Sequence, residues 1–212
     1  MEADREKRLA AEAAAELVPD GARVGLGTGS TVAYFLPALA ARRLDLRCVP
    51  TSAATERAAR DLGLALFSLD ELGRLDIAID GADQIDPARW LVKGGGGAHT
   101  REKIVAAAAD RFVVIVSSDK LVEALRPPIP LEVLRFGAAA TLAAAAPAEL
   151  RDAPPSPDGN LIAAYLGEIG DPAALADRLA AAPGIVEHGL FPPELVTEVI
   201  VGRGSDVERV GT

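Results

Sequence analysis

Apolar runs alternate with helix-forming segments along the first part of this chain, and no other feature limits its fold as strongly. The clearest run, residues 112–116, is β-branched at four of its five positions. Such runs are typical of strands that helices cover on both faces, as in a parallel sheet. Other strands are predicted at residues 22–27, 46–49, 64–69 and 75–80, and helices at residues 4–18, 32–43, 55–63 and 100–110.

The pattern changes after Lys120, where Arg126-Pro-Pro-Ile-Pro interrupts the alternation. The next residues, up to residue 188, are patterned as strand, helix, strand, strand, helix and strand, which predicts a small βαββαβ unit. Residues 195–201 and 207–210 again favour strands, and we expect them to rejoin the first lobe. The predicted fold is α/β: a Rossmann-like three-layer domain with a mostly parallel sheet (residues 1–126 and 194–212) plus a smaller α+β (ferredoxin-like) lobe (residues 127–193).

Charge and cysteine content exclude several classes of function. The 212 residues include 22 Lys and Arg against 31 Asp and Glu, and the net charge of −9 is unfavourable for binding nucleic acid. Cys48 is the single cysteine, so an internal disulfide is impossible and a reducing, cytoplasmic location is expected. The sequence contains no long apolar run and no signal-peptide core, so we expect neither membrane insertion nor export.

The first glycine-rich motif, Gly27-Thr28-Gly29-Ser30-Thr31, lies between a predicted strand and a predicted helix. Glycines let a backbone approach a ligand closely, and the free N–H groups at a helix start bind anions. The three hydroxyl groups add donors for phosphate oxygens. Because Ser30 replaces the third glycine of a dinucleotide fingerprint and no Gly-Lys-Ser/Thr follows, neither that site nor a P-loop is indicated. A turn needed only for strand-to-helix packing is the alternative.

Two carboxylates follow the predicted strand 75–80 in Asp80-Gly-Ala-Asp83. Open α/β sheets bind their ligands at the carboxyl ends of the strands. Close carboxylates also shift each other's pKa, which can provide an acid and a base from one residue type. An Asp-Gly turn with a helix cap explains the motif equally well.

The most specific motif is the run of four glycines in Lys93-Gly94-Gly95-Gly96-Gly97. Ordering four glycines costs entropy, so an ordered run indicates a backbone that lies close to another group. Thr100 is expected to cap the next helix, which places Glu102 in its first turn. Glu102 could then be a general base, with Lys93 stabilising a developing oxyanion. Alternatively, Glu102 only complements the helix dipole and Lys93 is a solvated surface charge.

The remaining candidates are weaker. Lys120, in Ser117-Ser-Asp-Lys120, follows a predicted strand and could hold a phosphate as a point charge, although a plain strand-to-helix cap fits equally well. His99 and His188 lack the spacing of metal ligands, so no metal site is predicted. Lys7 lies on a charged helix face, and its spacing alone indicates a surface role.

In this order and at these separations, the motifs resemble those of the type A ribose-5-phosphate isomerases. The resemblance runs from about Lys7 to the C-terminus and includes four further segments: Thr100-Arg-Glu-Lys-Ile-Val-Ala, Pro130-x-Glu-Val, Asp158-Gly-Asn160 and Gly184-Ile-Val-Glu-His-Gly-Leu-Phe191. It implies an aldose–ketose isomerisation between the phosphopentoses ribose 5-phosphate and ribulose 5-phosphate through an enediolate, with neither a metal nor an organic cofactor. It also implies a homodimer, or in some members a tetramer.

The resemblance implies roles for individual residues as well. Glu102 would move the proton between C1 and C2, and Lys93 with the N–H groups of residues 94–97 would stabilise the enediolate oxygen. Asp80 and Asp83 would serve ring opening and hydroxyl proton transfer. The substrate, chiefly its phosphate, would be held by Lys7, Thr28, Gly29, Ser30, Thr31 and Lys120.

Two positions depart from the family pattern. Gln84 stands where a Glu is usual, and we expect altered local pKa values rather than lost activity because no proton transfer is assigned to it. His99 stands where the family commonly has an apolar residue. This replacement is expected to change either the wall of the pocket or the contacts of the dimer. The alternatives are a non-catalytic sugar-phosphate-binding sensor domain, disfavoured because no basic helix-turn-helix is present, and an amino-sugar phosphate deaminase, disfavoured by the ordered motif set.

Overall fold

The chain folds into two compact units, which a computed structural model describes over residues 2–211. The first unit comprises the residues up to Ala82, Arg101–Leu121 and the residues from Glu194 onward; the second comprises Asp83–Thr100 and Val122–Pro193. The sequence-based boundaries placed residues 83–100 and 122–126 in the first lobe, so the structure differs there. The physical reason is strand pairing, because residues 84–92 form a small antiparallel sheet within the second unit.

The elements have the following bounds. The helices are α1 (Glu2–Ala15), α2 (Val32–Ala41), α3 (Ala53–Asp61), α4 (Leu69–Leu72), α5 (His99–Ala108), α6 (Ala138–Ala144) and α7 (Pro172–Ala180). The strands are β1 (Arg23–Leu26), β2 (Arg47–Pro50), β3 (Ile77–Asp80), β4 (Gln84–Ile85), β5 (Leu91–Val92), β6 (Phe112–Ser117), β7 (Ile129–Val133), β8 (Ala148–Leu150), β9 (Leu161–Tyr165), β10 (Ile185–His188), β11 (Leu190–Phe191), β12 (Glu198–Arg203) and β13 (Asp206–Gly211).

The first unit is built on a mostly parallel sheet, as predicted. Within residues 2–211 its six strands are ordered β13-β12-β6-β3-β1-β2, and only the β12–β13 pair is antiparallel. Strand β12 pairs with β6, which confirms that the tail rejoins the first lobe. The carboxyl ends of β1, β3 and β6 therefore lie at one edge of the sheet, where parallel sheets place their ligands.

Helices cover both faces of this sheet, which confirms the predicted three layers. Val24 and Leu26 of β1 belong to a core that also contains buried residues of α1 and α2. Successive residues of a strand face opposite sides. Gly25, between those two, faces α5 so closely that an added Cβ would lie 2.4 Å from the Val105 side chain.

One predicted strand, at residues 64–69, is wrong. Leu66 makes only a single parallel bridge to Cys48. From Ser68 the chain enters α4, because Ser68 and Glu71 form a reciprocal capping box. The sequence Ser-Leu-Asp-Glu carries that helix-start signal, which favours a helical turn over a longer strand.

The second unit contains the predicted βαββαβ motif. Its elements follow the order β7-α6-β8-β9-α7-β10, and the antiparallel sheet is ordered β10-β7-β9-β8. Ile129, Leu131 and Val133 of β7, one of the two central strands, are completely buried, with Leu179 of α7 in the same cluster. A second small sheet, β11-β5-β4, was not predicted because strands of two residues have no readable periodicity.

Candidate active site

The loop after β1 is held by a carboxylate from the neighbouring strand end. Asp80 Oδ1 accepts hydrogen bonds from the backbone N–H groups of Thr28 (3.0 Å) and Gly81 (2.7 Å). An added Cβ at Gly27 would lie 2.1 Å from the Asp80 carboxyl carbon, so only glycine fits there. The side chain of Asp80 is almost completely buried. The loop after β1 and the residue that ends β3 are therefore in direct contact.

Hydroxyl groups of three threonines also hold this loop in place through hydrogen bonds. Thr28 Oγ1 lies 2.9 Å from Thr51 Oγ1 and 3.2 Å from Thr55 Oγ1. Thr55 Oγ1 in turn donates to the Gly27 carbonyl at 2.7 Å. Sequence reasoning missed Thr51 and Thr55. The available signal was that Thr51 directly follows β2, another strand of the same sheet, and that Thr55 lies in the first turn of the next helix.

Of the remaining residues of the loop at the start of α2, Gly29 and Ser30 are exposed and Thr31 is buried. Gly29 has a positive φ of 125°, and both Gly29 and Ser30 are exposed. Thr31 precedes the helix but makes no side-chain capping hydrogen bond. The exposed backbone of Gly29 and the exposed Ser30 at the start of a ten-residue helix form an arrangement that can bind an anion.

Lys120 ends a short turn that follows β6. The turn, Ser118–Lys120, is a single turn of 3-10 helix, and Lys120 Nζ lies 3.2 Å from Asp119 Oδ2. Both side chains are partly exposed, so this pair contributes little to stability and leaves the ammonium near solvent. Lys7 lies on α1 and is half-buried rather than fully exposed.

Glu102 occupies the first turn of α5 and is only 4% exposed. The prediction that Thr100 caps this helix is wrong, because α5 already begins at His99. The Thr100 hydroxyl donates instead to Glu132 Oε2 at 2.5 Å. Glu132 is completely buried and also accepts from Ser156 Oγ (2.6 Å) and Asn160 Nδ2 (2.8 Å). A carboxylate contributed by β7 thus fixes the residue at the start of the helix.

Lys93 is buried in the second unit, with 2% of its surface exposed. Its Nζ lies 5.4 Å from the centroid of the Phe191 ring, within the range of a cation–π contact. Its backbone N–H donates to the Gly189 carbonyl at 2.8 Å. The interpretation of Lys93 as a solvated surface charge is therefore wrong.

The glycine run is ordered by side chains on two sides. Gly95 N–H donates to Asp83 Oδ2 at 2.9 Å, and Arg151 Nη2 donates to the Gly95 carbonyl at 3.0 Å. Gly94 has a φ of 100°, and an added Cβ there would lie 2.6 Å from His99 Nδ1. The run therefore keeps its shape through polar contacts and close approach. Arg151 was missed because no spacing in the sequence links it to residue 95.

The two departures from the family pattern have structural explanations. Gln84 Nε2 donates to the Arg126 carbonyl and Gln84 Oε1 accepts from the Arg126 N–H, both at 2.8 Å. An ionised glutamate could accept but could not donate, so an amide suits this position. His99 is completely buried beside Gly94, with Nε2 3.3 Å from the Glu187 carbonyl oxygen. His188 Nδ1 accepts from the Leu190 N–H at 3.3 Å.

Neither a metal cluster nor a membrane helix is found in residues 2–211. No group of three or more His, Cys, Asp or Glu side chains in this range could hold a metal ion. No helix of the range is both long enough and apolar enough to cross a bilayer.

Comparison with known proteins shows to which family this chain belongs. The family described as ribose 5-phosphate isomerase A (phosphoriboisomerase A) matches residues 47–206. Ribose-5-phosphate isomerase A of Caulobacter sp. (strain K31) is 47% identical over 226 aligned positions, which cover 99% of each chain. These relatives are isomerases, and the chain belongs to the ribose 5-phosphate isomerase A family.

Solved structures agree with this assignment along almost the whole chain. Ribose 5-phosphate isomerase A of Methanocaldococcus jannaschii has a TM-score of 0.91 at 36% identity, covering 97% of this chain and 98% of that chain. A D-ribose-5-phosphate isomerase in complex with phospho-erythronic acid has a TM-score of 0.93 at 35% identity and covers 100% of both chains. The expected family and α/β fold are confirmed.

Proposed function

We infer that the chain interconverts D-ribose 5-phosphate and D-ribulose 5-phosphate, the aldose–ketose isomerisation of its family in the pentose phosphate pathway. Besides family membership, one structural observation carries this conclusion. A carboxylate and an ammonium group, Glu102 and Lys93, are almost completely buried on the two sides of the glycine run in the sequence. Burying a charged group costs free energy, and such groups are concentrated at functional sites, so we assign both groups to the chemistry.

The chemistry that we propose for them is a proton transfer between adjacent carbons. Glu102 takes the C2 proton of the open-chain aldose, the C–H electron pair forms the C1=C2 bond, and the carbonyl electrons move to O1. Lys93 and the N–H groups of residues 94–97 stabilise that oxyanion. The O2 hydroxyl then loses its proton, O1 gains one, and Glu102 returns its proton to C1. The atoms and electrons balance without an external oxidant, so we propose that no cofactor and no metal is needed.

Asp80 and Asp83 are assigned to opening the sugar ring and to moving hydroxyl protons. Support comes from their contacts, since each carboxylate accepts a hydrogen bond from a glycine-rich loop, Asp80 from Thr28 and Asp83 from Gly95. Asp83 is exposed, whereas Asp80 is buried. The two carboxylates therefore differ in their exposure to solvent, and we assign them different steps.

The phosphate group is assigned to the loop before α2 and to two lysines. Gly29, Ser30 and Thr31 offer N–H and hydroxyl donors, and Lys7 and Lys120 add positive charge. Thr28 contributes its position rather than its hydroxyl, which is engaged with Thr51 and Thr55. Holding the phosphate orients the reacting carbons, and binding energy far from the reacting bond is then used for catalysis.

We also propose a cytoplasmic homodimer. The cytoplasmic location is supported by Cys48, which is buried. Burial raises the pKa of its thiol to about 12, so the side chain packs as a reduced thiol. The dimer follows from the resemblance of the sequence to the family. Light scattering on the purified protein tests it, with a mass of two chains expected and a mass of one chain as the contrary result.

The direct test compares the wild type with Glu102→Gln, using ribose 5-phosphate in the presence of EDTA. Loss of a positioned base should lower kcat by about 10²–10⁴-fold. Glu12→Gln, which changes an exposed glutamate on α1, is the matched control and should retain full activity. Wild-type turnover in deuterated water should also introduce deuterium at the transferred position. A fully active Glu102→Gln contradicts the base assignment, and binding without turnover by the wild type supports the sensor alternative.

A further inference from the structure

Glu6 is a buried carboxylate that none of the assigned chemical steps uses. It lies on α1 and is only 4% exposed. Its Oε1 accepts from the Gly204 N–H at 2.7 Å, and its Oε2 accepts from the Ser118 N–H at 2.9 Å and from Ser118 Oγ at 2.8 Å. One side chain therefore joins three segments of the first unit.

A glutamate is an unexpected residue for this position of the helix. Residues 6, 10 and 14 lie on the same face of α1 because four residues make about one helical turn. Ala10 and Ala14 are completely buried. An apolar residue at position 6 would extend that buried face without the cost of removing a charge from water. The carboxylate thus provides something that packing alone does not.

The backbone around Glu6 is fixed as firmly as its side chain. An added Cβ at Gly202 of β12 would lie 1.9 Å from the Glu6 carbonyl oxygen, so helix and strand approach each other closely there. The hydrogen bonds from Gly204 and Ser118 hold the pKa of Glu6 below its usual value, which keeps the group ionised. An ionised carboxylate forms stronger hydrogen bonds than a neutral group.

The segments that Glu6 joins carry the two lysines assigned to the phosphate. Lys7 is the next residue on α1, and Ser118 begins the turn that ends at Lys120. The contact of Lys120 with Asp119 is partly exposed and therefore fixes the position of Lys120 only weakly. The Glu6 carboxylate therefore links the helix that carries Lys7 directly to the turn that carries Lys120.

We propose that Glu6 is a positioning residue for the substrate phosphate, which sets the backbone of Lys7 and of Lys120 at the spacing that one phosphate group requires. This proposal rests on the assignment of these lysines to phosphate binding. It predicts that the loss of Glu6 weakens phosphate affinity while the chemical step remains, since Glu6 touches no group assigned to proton transfer.

The test uses Glu6→Gln, which retains the size of the side chain but replaces one acceptor oxygen by a donor. We expect KM for ribose 5-phosphate and the dissociation constant for inorganic phosphate each to rise about tenfold, with kcat within about twofold of wild type. Glu12→Gln, on the exposed face of the same helix, should change none of these values. Thermal unfolding of both variants verifies that they are folded.

A second variant keeps the proposal testable if Glu6→Gln does not fold. Ser118→Ala removes the hydroxyl donor but leaves the Ser118 N–H bonded to Glu6, so a smaller rise in both constants is expected. Unchanged phosphate affinity in a folded variant, or a fall in kcat at unchanged affinity, overturns the role of Glu6. Absence of wild-type turnover overturns the proposed function instead, so the two failures are distinguishable.

Discussion

The two glycine-bearing loops of this molecule keep their shapes in different ways. In the loop after β1, the space beside Gly27 is filled by the buried Asp80 carboxylate, and threonine hydroxyls form hydrogen bonds with the loop. In the run after Lys93, the backbone of Gly95 is held by Asp83, which is exposed, and by the partly exposed Arg151. The contrast is sharpest between Gly27, where a buried carboxylate fills the adjacent space, and Gly95, whose neighbour Asp83 is an exposed side chain that can rotate away. We propose that the first loop holds the phosphate and the second acts on the reacting carbons.

The largest effect is expected from Lys93→Met, which retains most of the side-chain volume but removes the charge of the second loop. Loss of a donor to a developing oxyanion should lower kcat by about 10²–10³-fold, with little change in phosphate affinity. Steady-state kinetics on ribose 5-phosphate measures both values. Lys103→Met, at another lysine of the chain, serves as the control, and an unchanged kcat in Lys93→Met would show that the second loop has no such role.

The next effect is on stability and concerns the first loop. Gly27→Ala places a Cβ 2.1 Å from the Asp80 carboxyl carbon, where neither the loop nor the strand can move freely. We expect the free energy of unfolding to fall by about 1–3 kcal/mol, as in other overpacked sites. Denaturant unfolding measures it against Gly211→Ala, where an added Cβ meets no atom within 4 Å. Equal stability of the two variants would refute the steric account.

A smaller change in stability is expected for the matching glycine of the second loop. An added Cβ at Gly95 would lie 3.1 Å from Asp83 Oδ2, the end of an exposed side chain that can rotate away. Gly95→Ala should change the free energy of unfolding by no more than about 0.5 kcal/mol. If the same unfolding experiment shows a loss as large as that of Gly27→Ala, the contrast between the loops is wrong.

The smallest effect concerns how the stability of the protein changes at acid pH, and two carboxylates of the first unit cause it. Hydrogen bonds from Gly204 and Ser118 lower the pKa of Glu6, and Arg23 lowers the pKa of Asp76. Each group stabilises the fold at pH values above its unfolded pKa, and that contribution is lost as the pH falls through the lower, folded pKa. Unfolding free energies measured from neutral pH into this acid range should decline less steeply in Glu6→Gln than in wild type. Parallel curves would contradict this assignment.

Much of the architecture follows from local sequence patterns. The β-branched runs indicated the parallel sheet, and the order of elements beyond residue 128 indicated the βαββαβ unit. The sheet of β4, β5 and β11 was not predictable, because two-residue strands from distant segments leave no periodic signal. The residues of the candidate site likewise fall into those that the sequence indicated and those that it did not. Contiguous motifs supplied Asp80, Lys93 and Glu102, whereas Glu6 and Glu132 act through contacts with residues more than 20 positions away, which no spacing encodes.

The division of labour between the loops is tested most directly by the affinity of two variants for inorganic phosphate, measured by titration calorimetry. Ser30→Ala, at an exposed position of the first loop, should weaken phosphate binding about tenfold or more, because a hydrogen bond to an anion is lost. Lys93→Met should bind phosphate within about twofold of wild type although its turnover collapses. The reverse result, with phosphate affinity lost in Lys93→Met and retained in Ser30→Ala, would contradict the account.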